Sequence, residues 1–287
     1  MIISASRRTD IPAFYTPWFL NRLREGYAMV KNPFNAKQDS RVFLGRGDVD
    51  CIVFWTRDPR PLLARWDEFS SYSMPCYFLF TITGYGRDLE PNVPSRDEAV
   101  AAFKDISKLL GPDRVIWRYD PLLFSDTIDL EFHRRRFGEL AARLEGSTRT
   151  CVMSFITLYG KCRRRLKDFR ILEPEANLKR ETAAALNAVA AAHGMELRAC
   201  AETVSLEGTG ARPAACIDGE RVRRITGREL KFKKDTGQRK GCGCVKSADI
   251  GAYDTCLHGC RYCYAVTSGE RARKNHEAHR WTDEAQA

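Results

Sequence analysis

The sequence predicts an α/β protein whose core is a partial or full parallel (β/α) barrel, followed by an irregular, cysteine-rich C-terminal segment. Six short apolar runs, rich in β-branched and aromatic residues, recur over the first two thirds of the 287-residue chain, and segments with helical spacing separate them. The runs are mostly continuous rather than alternating, which is typical of strands buried on both faces of a parallel sheet. The repeated strand–helix order therefore predicts parallel strands joined by crossover helices.

The strands are predicted at residues 1–6, 51–56, 77–83, 115–119, 151–156 and 196–201, and the helices between them at 14–25, 61–69, 95–110, 130–144 and 174–193. Ser95 is a good N-cap for the third helix, because two acidic residues follow it in the first turn. The fifth helix begins at Pro174 and ends before Gly194, residue types that are common at those two positions. Residues 1–202 are thus predicted to form the barrel core.

Residues 203–287 are predicted to form a basic segment that packs on the barrel mouth. Eight glycines lie between residues 208 and 251 and apolar periodicity is weak there, so we expect few regular elements. Seven of the eleven cysteines lie at or beyond residue 200, and they are Cys200, Cys216, Cys242, Cys244, Cys256, Cys260 and Cys263. We expect these thiols to help to organise the segment.

The composition indicates a cytoplasmic protein with no membrane span. No stretch approaches the ~20 consecutive apolar residues that a transmembrane helix needs, and no basic leader precedes an apolar run, so no secretory signal is predicted. In a reducing compartment, clustered cysteines more often bind metal or carry out redox chemistry than form disulfides. The formal net charge of +10 favours a polyanionic partner such as nucleic acid.

Charged residues stand at the predicted strand ends, where (β/α) barrels build their active sites. Arg7 and Arg8 follow the first strand, and Arg118 and Asp120 lie at the end of the fourth. A fixed arginine at such a place binds a carboxylate or phosphate, of cofactor or substrate, through two parallel hydrogen bonds. The alternative is an internal Arg–Asp pair that shapes the loop. These four residues are the predicted catalytic and substrate-binding set.

The most specific motif is a C-x3-C-x2-C loop formed by Cys256, Cys260 and Cys263. Three cysteines can bind three irons of a cubane [4Fe–4S] cluster, whereas such clusters normally take four cysteines. The fourth iron then either has a remote ligand or stays open for a small chelating molecule. The alternative is a zinc site completed by His258 or Cys244, although the usual zinc arrangement is a pair of C-x2-C motifs.

With Tyr262 directly before its last cysteine, this loop resembles the signature loop of the radical S-adenosylmethionine (SAM) superfamily. The resemblance implies that the open iron binds SAM, that reductive cleavage gives a 5′-deoxyadenosyl radical, and that an external flavodoxin- or ferredoxin-like partner supplies the electron. It also implies an adenine contact for Tyr262, and it makes Thr56 and Glu202, after the second and sixth strands, candidates for SAM contacts. The loop departs from the superfamily's pattern because it lies after the sixth strand rather than after the first.

Nearly the whole chain, roughly residues 1–270, resembles the DUF1848 family. The segments that carry the resemblance lie at 3–12, 53–56, 117–121 and 243–247 and in the final cysteine loop. This resemblance implies a C-terminal cluster similar to the N-terminal cluster of radical SAM enzymes. It implies no substrate.

The four remaining late cysteines, Cys200, Cys216, Cys242 and Cys244, offer a second set of ligands. Four thiolates complete a fully ligated [4Fe–4S] cluster, and they are also an ordinary structural zinc set. The tight C-x-C spacing of Cys242 and Cys244 favours iron. A third alternative leaves some of these residues as buried free thiols.

Together these features predict a radical SAM-type iron–sulfur enzyme that acts on an unidentified substrate, with polyanions and nucleic acid as the favoured class. Two other functions remain as alternatives. One is a zinc-organised nucleic-acid-binding module without catalysis, whose affinity falls steeply with salt. The other is a SAM-independent electron-transfer protein with complete clusters.

Overall fold

The computed structural model describes residues 1–32 and 35–284, and it centres on one eight-stranded sheet. The sheet strands are β1 (Ile2–Ala5), β4 (Cys51–Thr56), β5 (Cys76–Thr81), β6 (Val115–Leu122), β7 (Thr150–Phe155), β8 (Glu196–Ala199), β9 (Arg212–Pro213) and β10 (Ala248–Asp249). Every neighbouring pair in this sheet is parallel. Two further strands, β2 (Tyr27–Asn32) and β3 (Asn35–Phe43), form a separate antiparallel hairpin.

The helices of the described residues are α1 (Ile11–Phe14), α2 (Thr16–Glu25), α3 (Arg60–Leu63), α4 (Trp66–Ser71), α5 (Arg96–Leu110), α6 (Leu130–Leu144), α7 (Gly160–Arg165), α8 (Ala176–Ala192), α9 (Gly219–Thr226) and α10 (Gly269–Glu284). The long helices α2, α5, α6 and α8 lie where the spacing predicts them. Ser95 caps α5 as expected, because its hydroxyl accepts from Glu98 N and the Glu98 carboxylate accepts from Ser95 N at 2.8 Å. The predicted helix at 61–69 is instead two short helices, since Arg65 leaves the helical conformation between them.

The strands lie in the spatial order β10-β1-β4-β5-β6-β7-β8-β9. This order confirms the predicted parallel α/β sheet but does not show a closed barrel: β9 and β10 are its two edges, and within the described residues no strand pair joins them. The segments next to these two edges are nevertheless in contact: Val245 N, shortly before β10, donates to Ile217 O, shortly after β9, at 3.0 Å. A Cβ at Gly243 would lie 2.9 Å from Ala214 O, so glycine permits this close approach.

Both faces of the sheet are apolar, as the continuous runs predict. One face packs against the helices through aromatic rings: Phe54 stacks on Phe78 with centroids 4.7 Å apart, and Trp117 stacks on Phe137 of α6 at 4.6 Å. The other face carries Ile2, Val53, Tyr77, Leu79, Ile116 and Val152, and it packs against Ala214, Cys216, Ile217, Val222, Cys242 and Cys244. The C-terminal segment therefore fills the second face of the sheet as well as approaching the strand ends.

Some elements have no counterpart among those predicted from the sequence. They are the hairpin β2–β3, the helices α7 and α9, and the edge strands β9 and β10. The polar end of the chain forms α10, whose His276 and His279 rings contact Tyr15. Residues 285–287 of the predicted C-terminal segment lie outside the described residues. Across residues 1–32 and 35–284 we find no helix with the length and apolar character needed to traverse a bilayer.

We expect His133 of α6 to make folding stability depend on pH. Its ring is fully buried, its Nδ1 accepts from the Tyr119 hydroxyl at 3.0 Å, and its Nε2 donates to Leu123 O at 2.8 Å. Burial lowers the pKa of His133 to about 4. Below pH 6.5 the unfolded chain therefore binds a proton that the folded chain does not. The free energy of unfolding should therefore fall by about 3 kcal/mol in all as the pH decreases from 6.5 to 4.

Urea unfolding between pH 4 and 8 measures this effect. The variant His133→Gln should be less stable at pH 7 but should lose this part of the pH dependence. The control variant His193→Gln, which alters the partly exposed histidine paired with Glu145, should keep the wild-type slope. If the free energy of unfolding depends on pH equally in wild-type protein and in His133→Gln, His133 is not the source of this pH dependence.

Candidate functional site

A cavity of about 1410 Å³ lies at the carboxyl ends of the parallel strands. All seven late cysteines line it, together with Arg7, Arg8, Thr56, Arg118, Asp120 and Tyr262. The other four cysteines, Cys51, Cys76, Cys151 and Cys162, are buried outside this lining. The fold therefore brings together every predicted site residue except Glu202.

Asp10 fixes the cysteine loop to the ends of two strands. Its buried carboxylate accepts from Thr56 Oγ1 at 2.8 Å and from Arg57 N at 2.7 Å, both at the end of β4. The same carboxylate lies 2.8 Å from Nε2 of His258, inside the loop. Asp10 itself follows β1, so one side chain joins β1, β4 and the loop. Ionised hydrogen bonds of this kind are about twice as strong as neutral ones.

A second contact holds the loop from the β5 side. Arg57 pairs with Glu90 at 2.9 Å, and the Tyr262 hydroxyl bonds to both of these side chains. Arg261 N also donates to Leu89 O at 3.0 Å. Neither Glu90 nor Arg57 is a site residue predicted from the sequence. Glu90 lies in the polar connection between β5 and α5, where an acidic residue carries no specific signal.

The remaining anchors come from α7. The Cys162 thiol donates to Tyr262 O at 3.2 Å, and the Arg165 guanidinium donates to Cys263 O. Side chains that follow β7 thus donate to two loop carbonyls. From the β5 side, Asn92 N donates to a third, His258 O, at 3.2 Å. Because loop groups are held from several directions, the three cysteines occupy defined positions at the cavity wall.

His258 is not free to complete a zinc site in this arrangement. Its Nε2 faces Asp10, and its Nδ1 lies 3.3 Å from Asn92 O, so both ring nitrogens already have partners. Burial raises the pKa of all three loop thiols, that of Cys260 to about 12. Without metal these thiols are protonated near neutral pH, and metal binding must release their protons.

The second cysteine set lies across the gap between the two sheet edges. Cys200 follows β8 and its Sγ is 3.7 Å from Sγ of Cys216, which follows β9. On the other side Cys244 precedes β10, and its sulfur accepts from Ile217 N at 3.3 Å. The neighbouring thiols of Cys216 and Cys242 lower the pKa of Cys244. The four thiols therefore form one buried group that favours a thiolate.

The 3.7 Å separation is close to the ~3.8 Å between two thiolates on one tetrahedral zinc with 2.3 Å bonds. Nevertheless, no three His, Cys, Asp or Glu side chains in the part of the chain that the structure describes are arranged to hold a single metal ion. A cubane cluster binds each cysteine to a different iron, so this finding concerns single ions. Metal or cluster binding by either cysteine set stays a prediction.

Arginine and tryptophan side chains form a further part of the cavity wall. The guanidinium of Arg118 lies 4.7 Å from the ring centroid of Trp55, and that of Arg7 lies 5.4 Å from it. Arg118 pairs with Asp120, which also bonds to the Ser154 hydroxyl, so the internal Arg–Asp pair considered from the sequence is present. Arg118 nevertheless faces the cavity.

Three of the predicted site residues bond to structural partners. Arg8 donates through Nε to the Asp249 carboxylate at 3.1 Å and through Nη2 to the Asp249 backbone carbonyl at 3.0 Å. Glu202, predicted to contact SAM, pairs with Lys179 at 3.2 Å and caps the following turn through Thr203 N. Because Glu202 turns to α8, it does not line the cavity. Thr56 lines the cavity, but its hydroxyl donates to Asp10.

Comparisons with known proteins give a family and two distant structures. A family model described as "Domain of unknown function (DUF1848)" matches residues 2–265. No curated protein matches the chain. Two solved structures show some similarity. One is a proposed alpha-L-fucosidase from Bacteroides thetaiotaomicron, with 11% identity over 82% of this chain and 83% of that one and a TM-score of 0.31. The other is dihydropyrimidinase from Brevibacillus agri, with 12% identity over 55% and 35% and a TM-score of 0.27.

Replacing Asp10 by asparagine should loosen the loop. Asp10→Asn puts an amide nitrogen where one carboxylate oxygen accepts hydrogen bonds, so we expect a loss of about 2–3 kcal/mol in the free energy of unfolding. In metal-free protein the loop thiols should also react faster with a thiol reagent, read by peptide mass spectrometry. The control Asp97→Asn changes an exposed carboxylate paired with Arg143 and should cost less than about 0.5 kcal/mol. An Asp10→Asn protein as stable as this control would contradict the anchoring role.

Proposed function

This chain belongs to the DUF1848 family, and we propose that it is a radical SAM-type iron–sulfur enzyme. One observation carries the proposal: Cys256, Cys260 and Cys263 line the large cavity at the carboxyl ends of the parallel strands. Parallel α/β enzymes place their reactive groups at this end. The C-x3-C-x2-C loop, resembling that of radical SAM enzymes, therefore lies where catalysis is expected.

The residues present fit a cluster that keeps one iron open. Three cysteine thiolates would bind three irons, and His258, the nearest other ligand type in the loop, already has partners on both ring nitrogens. The open iron would bind the amino and carboxylate groups of SAM. When bound, the cluster supplies the electron for reductive cleavage of SAM, and we propose that a flavodoxin- or ferredoxin-like partner delivers that electron in the cytoplasm.

The chain's own residues position this group and shield it. Asp10 and the Arg57–Glu90 pair hold the loop against the strand ends. The Tyr262 hydroxyl is hydrogen-bonded to both Arg57 and Glu90, so the face of its ring is the part available to contact adenine. Glu202 pairs with Lys179 outside the cavity and has no part in the proposed SAM contacts.

The size and charge of the cavity favour a second, anionic molecule beside SAM. Its volume exceeds the ~300–1,000 Å³ of ordinary ligand pockets. Seven Arg or Lys side chains and five Asp side chains line it, so a formal excess of positive charge remains before thiolates are considered. We propose that Arg7 and Arg118 bind the substrate, while Arg8 and Asp120 hold the wall that presents them.

The decisive experiment is anaerobic reconstitution with iron and sulfide, followed by SAM and dithionite. We expect a brown protein that produces 5′-deoxyadenosine, and loss of both cluster and nucleoside in Cys256→Ala, Cys260→Ala and Cys263→Ala. The matched control is Cys162→Ser, which changes a buried thiol beside the same loop but outside the cavity lining, and which keeps a donor for Tyr262 O. It should retain the cluster and nucleoside formation.

The rival functions give different results in the same experiment. Bound iron and sulfide without 5′-deoxyadenosine would indicate an electron-transfer protein. A colourless protein with bound zinc and salt-sensitive affinity for nucleic acid would indicate a binding module. Either result would overturn the proposal.

A further inference from the structure

We propose that Arg7, Trp55 and Arg118 form a binding site for one oxyanion of the substrate, a carboxylate or a phosphate. The identification of this anion as part of the substrate rests on the proposed function. The binding of an oxyanion at this wall of the cavity does not, because none of its three residues belongs to the cysteine loop.

Three buried nitrogen donors at this wall have no partner. They are Nη2 of Arg7, Nε1 of Trp55 and Nε of Arg118. An unsatisfied buried donor costs about 1–3 kcal/mol, so nearly all such groups in proteins are paired with protein atoms, water or a ligand. Three of them on residues that line one cavity indicate a ligand that accepts hydrogen bonds.

The three side chains are held as one unit. Arg7 follows β1, Trp55 lies near the end of β4 and Arg118 lies within β6. Both guanidinium groups lie over the same indole ring, 5.4 and 4.7 Å from its centroid. Stacking on an aromatic ring fixes the plane of a guanidinium and leaves its edge free to donate. The site is therefore preorganised for a planar or tetrahedral oxyanion.

The charge of this wall also suits an anion. Arg118 has one carboxylate partner, Asp120, whereas Arg7 has the Cys244 thiol beside it and lies 4.0 Å from the carboxylate of Asp235. Arg8 differs from both, because Asp249 accepts from its Nε and Nη2. Arg7 and Arg118 thus keep donors for a ligand, whereas the donors of Arg8 are used within the fold.

Burial restricts the size of the ligand. The Arg7 and Arg118 side chains are 14% and 16% exposed, and their free donor atoms are buried. A phosphate in the backbone of a duplex cannot reach donors inside a cavity, whereas a small molecule can. We therefore identify the substrate class as small carboxylates or phosphate esters rather than double-stranded nucleic acid.

The site is separate from the place proposed for the SAM carboxylate. Arg57, beside the loop, pairs with Glu90 at 2.9 Å and lies 5.6 Å from the Tyr262 ring centroid. Arg7 and Arg118 lie over Trp55 instead, with Cys200, Cys216 and Cys244 among the groups around them. Their link to the loop is Tyr264, directly after Cys263, whose hydroxyl donates to Arg7 O at 2.9 Å. The arginine–tryptophan wall therefore adjoins the second cysteine set, and the loop has its own arginine.

Calorimetric titration of the cluster-free protein with inorganic phosphate, and separately with malonate, tests the site at constant ionic strength. Arg118→Gln should weaken binding of at least one probe tenfold or more, since it removes a charged donor. Trp55→Phe should weaken it three- to tenfold, because it removes only the indole N–H and keeps the ring. The control Arg239→Gln removes an equal charge from the same cavity lining, where Arg239 bonds to Thr157, and should change affinity less than twofold.

Trp55→Phe keeps the test decisive if Arg118→Gln does not fold. Wild-type protein that binds neither probe, or equal weakening in all three variants, would overturn the anion site. The probe that binds more tightly, phosphate or malonate, shows whether the site prefers a phosphate or a carboxylate. A parallel titration of the reconstituted protein with SAM should give the same affinity in wild type and Trp55→Phe. If Trp55→Phe weakens SAM binding as much as it weakens probe binding, the anion belongs to the cofactor, and its assignment to the substrate is wrong.

Discussion

The Asp10 carboxylate is the interaction on which the geometry of the site depends. A buried carboxylate is stable only when its lone pairs are used, and here they accept from the end of β4 and face His258 of the cysteine loop. The loop comes late in the chain, after the sixth predicted strand. Asp10 nevertheless fixes it beside the ends of β1 and β4, so residues from the two ends of the chain form one wall of the cavity.

The open sheet explains how the cavity is divided. Because β9 and β10 do not pair in the described residues, the chain flanking them brings four thiols to the gap, with Cys200 and Cys216 3.7 Å apart. These thiols adjoin Arg7 and Arg118, whereas the loop thiols adjoin Arg57. One cavity therefore has one side lined by the loop and another lined by arginines and Trp55, and these are the sides to which our proposal assigns the cofactor and the substrate.

Local patterns predicted the central part of the fold well. Continuous apolar runs and a capping box depend on neighbouring residues, so six strands and α5 could be located from the sequence. The hairpin β2–β3 could not, because its half-exposed strands mix Met29 and Phe43 with charged residues and lack a buried run. The two-residue strands β9 and β10 carry no periodic signal at all. The roles of Glu90 and Glu202 were also beyond sequence reasoning, since they depend on partners 172 and 23 residues away.

The central claim is that a loop with three cysteines leaves one iron of a cluster open to the cavity. Mössbauer spectroscopy of protein reconstituted with iron-57 tests it most directly. The account predicts that adding SAM changes the isomer shift and quadrupole splitting of one iron in the loop cluster and leaves the other three unchanged. A spectrum unaffected by saturating SAM would show that SAM binds to no iron of the cluster, and this would contradict the account.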